Sequence, residues 1–93
     1  MNDRKLNEIG PDNTLLLVDD DEPFLKRLAR AMEKRGFDVE TAETVAAGRA
    51  LADQRPPAYA VIDLRLEDGN GLDVVETIHE RRSDSRVVVL TGY

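Results

Sequence analysis

Cysteine and tryptophan are absent from the chain, and histidine occurs once. Without cysteine there is no disulfide framework and no thiolate metal site. Aromatic residues are scarce, two Tyr and two Phe, so a core has to be built from Leu, Val, Ile and Ala. No apolar run is long enough to span a membrane. Residues 1–13 hold no apolar segment of the signal-peptide kind, so the default reading is a cytoplasmic protein. Basic residues are outnumbered: 13 Lys and Arg against 19 Asp and Glu give a net charge of -6. Such a segment repels DNA phosphates and anionic membranes, and it is expected to contact neither directly. Internal repeats and low-complexity tracts are lacking as well.

What is there fits one small domain: 93 residues, 41% of them apolar, enough for a single core. Residues 1–13 are polar, with Gly10-Pro11 as a breaker, and read as a flexible tail. Thr14 to Val18 is a short continuous apolar run, the pattern of a strand buried on both faces. Asp19-Asp20-Asp21-Glu22 follows at once. Asp21 suits a helix cap and Pro23 a first helical turn. Phe24, Leu25, Leu28, Ala29, Ala31 and Met32 recur at helical spacing until Gly36. Phe37 to Thr41 alternates as a half-exposed edge strand would. Thr44 can cap a second helix through Ala52, which Arg55-Pro56-Pro57 ends. Tyr59 to Ile62 is another buried strand, followed by Asp63 and a loop from Leu64 to Gly71. Leu72, Val75, Ile78 and His79 mark one face of a third helix. Ser83-Asp84-Ser85 is a turn, and Arg86 to Leu90 is a fourth strand. The order β-α-β-α-β-α-β, with buried strands, argues a parallel α/β sheet.

In open parallel sheets ligands bind beyond the carboxyl ends of the strands. The residues there are Asp19 and Asp20 after the first strand, Asp63 after the third and Thr91 after the fourth. If those strands are neighbours, three carboxylates and a hydroxyl converge. Clustered carboxylates repel one another unless a cation intervenes, and oxygen-only ligands suit a hard cation such as Mg2+. With the charge neutralised, an aspartate can attack phosphorus and form an acyl phosphate. Thr91 could donate a hydrogen bond to the phosphoryl group.

Other residues read more plainly. His79 is taken as a surface residue, Arg81-Arg82 as a solvated helix end, and Tyr59 as packing. The turn Asp68-Gly69-Asn70-Gly71 lacks the spacing and terminal Glu of a calcium loop. An aspartyl-nucleophile phosphatase is an alternative, since Asp19 and Asp21 have its two-residue spacing, but Glu22-Pro23-Phe24 does not fit. A domain that binds partners without taking phosphate is a second.

Leu17-Val18-Asp19-Asp20-Asp21-Glu22 resembles the opening motif of the receiver domains of two-component response regulators. Val61-Ile62-Asp63-Leu64 with Gly69 and Gly71 resembles their phosphoacceptor segment, and Val88-Val89-Leu90-Thr91-Gly92 their switch-threonine segment. Together they tie residues 14–93 to that family. More narrowly, Val61 to Gly71 resembles the redox-responsive regulators of the RegA, PrrA and ActR type. Glu67 stands where receivers usually have Pro, which should leave the loop less stiff.

The resemblance implies a flavodoxin-like, CheY-like sheet of order 2-1-3-4-5. It implies phosphorylation of Asp63 by a sensor histidine kinase, and signalling to an output domain that regulates transcription, without turnover as an enzyme. It implies that Asp20, Asp63 and the backbone carbonyl of Arg65 hold Mg2+, with Asp19 acting through water, and that Thr91 contacts the phosphoryl group. The family's fifth strand, its last two helices and its strand-five lysine have no counterpart among residues 14–93. The expectation is a sheet of order 2-1-3-4, incomplete at its C-terminus. Val87 to Leu90 then forms an exposed apolar edge. A fragment of a longer chain, or pairing or strand exchange with a second copy, would account for it.

Overall fold

The computed structural model describes residues 12–91. Strand β1 (Thr14–Val18), helix α1 (Glu22–Lys34), β2 (Asp38–Ala42), α2 (Val45–Gln54) and β3 (Tyr59–Asp63) follow in the expected alternation. A short hairpin, β4 (Arg65–Leu66) and β5 (Gly69–Asn70), precedes α3 (Leu72–Arg81) and β6 (Arg86–Leu90). The four long strands form one parallel sheet in the order β2-β1-β3-β6. This is the flavodoxin-like order 2-1-3-4 expected from the sequence.

The unbroken apolar runs are explained by helices on both faces. Side chains of a strand alternate between faces. Leu15 and Leu17 of β1 therefore pack with Leu25, Leu28, Ala29 and Met32 of α1. Leu16 and Val18 join Ala60 and Ile62 of β3 against Val45 and Ala52 of α2 and Val74 and Ile78 of α3. Leu17 and Ile62 are wholly buried, each worth about 1.5–3 kcal/mol of apolar burial. Aromatics are few, and among the described residues a ring contact is found at the rim of the α1 layer, where Phe37 meets Tyr59 edge-on at 5.5 Å.

The helix boundaries follow local chemistry. Asp21 caps α1 by accepting from the Phe24 N–H at 3.1 Å. Gly36 takes φ 100° just past its end, a conformation that costs other residues a Cβ clash. Thr44 caps α2 by accepting from the Ala47 N–H at 3.0 Å.

The structure departs from the sequence reading in several places. The stretch from Leu64 to Gly71 is not plain loop but contains the β4–β5 hairpin. The fourth long strand, by contrast, is the exposed edge that was expected: Val87 packs into the α2–α3 layer, while Val88 is 57% exposed. Its partner in register is Val61 on the α1 face, and α1 lies over β1 and β2 rather than β6. Asp12 and Asn13 do not belong to a loose leader. Asp12 accepts from the Thr14 N–H and hydroxyl and pairs with Arg82, and the Asn13 side-chain amide donates to the Gly36 carbonyl. The remainder of the expected tail, residues 1–11, lies outside the described residues. Arg81 and Arg82 are ion-paired, with Asp53 and Asp12, rather than simply solvated. These partners come from 28 and 70 residues away, beyond the reach of local pattern.

Candidate functional site

Parallel pairing of β1 with β3 sets Val18 opposite Ile62. The chain then leaves both strands at one level, with Asp19 and Asp20 beyond β1 and Asp63 as the last residue of β3. The three carboxylates meet: each offers one oxygen, and these oxygens lie within 4.8 Å of one another. Asp63 is 9% exposed, Asp19 is half-buried and Asp20 is exposed. Asp63 is therefore a nearly enclosed group with a solvent-facing neighbour.

Backbone hydrogen bonds fix this corner. The Asp19 N–H donates to the Ala42 carbonyl, extending the β1–β2 ladder by one residue. The Asp21 N–H donates to Asp19 Oδ1 at 2.9 Å. The Arg65 N–H donates to Asp63 Oδ1 at 3.3 Å. The Leu64 N–H donates to the Leu90 carbonyl, and Leu90 is itself in register with Asp63. Thr91, exposed, follows directly. The topology thus brings Asp19, Asp20 and Asp63 together, and sets Thr91 one residue past the β6 partner of Asp63.

The electrostatics are those of a crowded anionic corner. Burial pushes the Asp19 carboxyl above its usual range. The Asp21 N–H opposes that shift, and the charges of Asp63, Asp20 and Asp21 add to it. The donor set is three carboxylates at the end of a parallel sheet, with no nitrogen or sulfur ligand. It fits a hard divalent cation, which takes oxygen ligands and relieves like-charge repulsion.

The contacts of two residues around this corner were missed in the sequence reading. Gly71 was read as a loop glycine within the phosphoacceptor motif, without the contact that requires it. A Cβ there would stand 2.0 Å from the Asp63 carbonyl oxygen, while its N–H donates to the Leu64 carbonyl at 2.8 Å. The loop turns back so tightly beneath the acidic corner that only glycine fits. Asp68 was considered only as part of a calcium-like turn. Its carboxylate instead accepts from the Val45 and Ala46 N–H groups at the start of α2, which hold its carboxyl below the usual range. No periodicity signals a contact across 23 residues. His79 is exposed on the last turn of α3, with Nε2 3.4 Å from the Ser85 carbonyl, as its surface reading expected.

No helix among the described residues is long and apolar enough to cross a membrane. Comparison with known proteins places the arrangement. The chain is 76% identical to the photosynthetic apparatus regulatory protein RegA of Cereibacter sphaeroides over 86 residues, 92% of this chain and 47% of that protein. It is 68% identical to the acid tolerance regulatory protein ActR of Rhizobium meliloti over 85 residues, 91% of this chain and 44% of that one. The chain therefore spans about half the length of these curated relatives. Among solved structures, it resembles a response regulator protein from Burkholderia pseudomallei with a phosphorylated aspartic acid, calcium ion and citrate. The TM-score is 0.82 at 34% identity, covering 88% of this chain and 48% of that one. The model of the response regulator receiver domain matches residues 15–93, and the chain belongs to that family.

Proposed function

We propose that this receiver domain accepts a phosphoryl group on Asp63 from a sensor histidine kinase, with Mg2+ as cofactor, and passes the signal to a transcription-regulating output domain. The observation that carries the reading is the convergence of Asp19, Asp20 and the nearly buried Asp63 within 4.8 Å. A carboxylate oxygen of Asp63 attacks phosphorus, and a P–O bond forms as the P–N bond of the donor phosphohistidine breaks. The leaving imidazole keeps the electron pair and takes a proton. Asp20, Asp63 and the Arg65 carbonyl would hold the cation, with Asp19 acting through water. When bound, Mg2+ neutralises negative charge at the carboxylates and on the transferred group. The Arg65 N–H orients the Asp63 carboxylate through Oδ1, and the Thr91 hydroxyl would donate to the phosphoryl group. One phosphoryl group is taken up per chain, so the domain acts as a switch and not as a turnover enzyme.

The test is intact mass spectrometry of the chain incubated with a small phosphodonor, with and without Mg2+. A gain of one phosphoryl group that needs Mg2+ and disappears in Asp63→Asn is expected. Sustained hydrolysis of a model phosphate ester without that gain would favour the phosphatase alternative.

The same reading extends to a partner. The Val87 to Leu90 edge, with Val88 exposed, is a template for pairing with another strand, including one from a second copy. Light scattering on size-exclusion fractions should give a dimer that Val88→Lys reduces. A monomer across the concentration range would remove this part.

A further inference from the structure

The hairpin between Asp63 and α3 is held at three heights. At its root, the Gly71 N–H bonds the Leu64 carbonyl at 2.8 Å. Midway, Leu66 is 8% exposed and belongs to the same buried cluster as Val45. At its tip, Glu67 and Asp68 join Leu66 to Gly69. There the Asp68 carboxylate takes the Val45 N–H at 2.8 Å and the Ala46 N–H at 3.1 Å. The first N–H groups of a helix have no partner inside it, and its N-terminus favours a negative charge. Helix α2 has these groups satisfied from two sources, locally by Thr44 at Ala47 and by Asp68 from across the molecule.

We infer that Asp68 is a positioning residue for the phosphoacceptor corner, clamping the hairpin tip to α2 so that Arg65 keeps its place beside Asp63. The inference deepens the proposed function and rests on it. Arg65 begins β4, pairs in register with Asn70 of β5 and donates its N–H to Asp63 Oδ1. Its carbonyl is a ligand in the proposed reading. A tip free to swing would carry Arg65 with it. Residue 67 is Glu in this chain, so no proline ring fixes the backbone at the tip. The carboxylate of Asp68 restrains the tip from outside the hairpin instead.

Thr44 provides the control, because it caps the same helix end through a bond to Ala47 and not to the hairpin. Mg2+ affinity of the full chain is measured by titration calorimetry, well below each variant's melting temperature. The variants are Asp68→Ala, Asp68→Asn and Thr44→Ala. Both alanine variants should melt earlier. Only the Asp68 variants should lose Mg2+ affinity. The loss in Asp68→Ala should be about tenfold, the low end for groups that orient metal ligands from outside. Asp68→Asn, which keeps one acceptor oxygen, should fall between it and the parent. If Asp68→Ala is too unstable to titrate, the Asn variant and Thr44→Ala carry the comparison. Parental affinity in the Asp68 variants would overturn the inference, as would an equal loss in Thr44→Ala. So would equal losses in Asp68→Asn and Asp68→Ala, which would mark a simple charge effect. If the parent chain binds no Mg2+, the proposed function fails, and the inference falls with it.

Discussion

Asp12 and Asp19 flank the same strand, β1, in opposite surroundings. Asp12, at the amino end, accepts from Thr14 and meets Arg82 at 2.7 Å. These contacts draw its carboxyl down to about 2. Asp38 and Asp53 each meet an arginine too, Arg55 and Arg81. At the carboxyl end, Asp19 is instead gathered with Asp20 and Asp63, and its carboxyl is pushed up. The same residue type thus ties the fold together at one end of the sheet and is held against its electrostatic preference at the other. The second arrangement is maintained by the fold, and it marks the site.

The comparison can be broken hardest at Gly71. Gly71→Ala sets a Cβ 2.0 Å from the Asp63 carbonyl oxygen. With backbone on one side and Ile62 on the other, nothing small can yield. A loss of about 4 kcal/mol or more is expected in urea unfolding. Parental stability in this variant would mean that the loop does not pass so close to Asp63.

Thinning the acidic cluster should have a smaller effect with the opposite character. Asp20→Asn removes an exposed carboxylate from a like-charged group. The folded chain should be unchanged or slightly more stable, while Mg2+ affinity drops on the order of tenfold or more, because ligand charge count sets such affinities. Asp19→Asn should lower it less, since Asp19 acts through water in the proposed reading. Thermal melts and calorimetry, run side by side, separate the two effects.

The smallest effect lies at the other end. Asp12→Asn loses the pair with Arg82, whose carboxylate side is 41% exposed. Solvent screening keeps the cost under about 1 kcal/mol, and Mg2+ affinity should not change. The cost should depend on pH. The folded-state pKa of about 2 lies below the ordinary 3.8. The stabilisation is therefore complete above the ordinary value and fades as pH falls through the folded one. Melting temperatures of the parent and Asp12→Asn should differ at neutral pH and converge near pH 2. A difference that persists there would assign the effect to hydrogen bonding independent of charge.

Much of the site was legible because it depends on strand ends. Apolar runs of four residues, 15–18 and 59–62, locate β1 and β3, and in a parallel sheet the residues that end them share an edge. Asp19, Asp20 and Asp63 could therefore be placed together before any coordinates. The caps Asp21 and Thr44 were legible for the same local reason. What escaped depends on contacts across the chain. The Asp68 carboxylate finds amides 22 and 23 residues earlier. Gly71 was part of the recognised motif, but the backbone approach that requires it could not be read from the chain. The exposure of Val88 against the burial of Leu17 was, by contrast, expected, because the fourth strand was read as an exposed edge.

The central claim is that the carboxyl-end cluster, and not the arginine-paired end, takes the phosphoryl group. The direct test is to treat the chain with a phosphodonor and Mg2+, then locate the added mass by fragmentation. The account predicts one phosphoryl group, on Asp63, formed only with Mg2+. A label on Asp12, Asp38 or Asp53, or one that forms equally well without Mg2+, would contradict it.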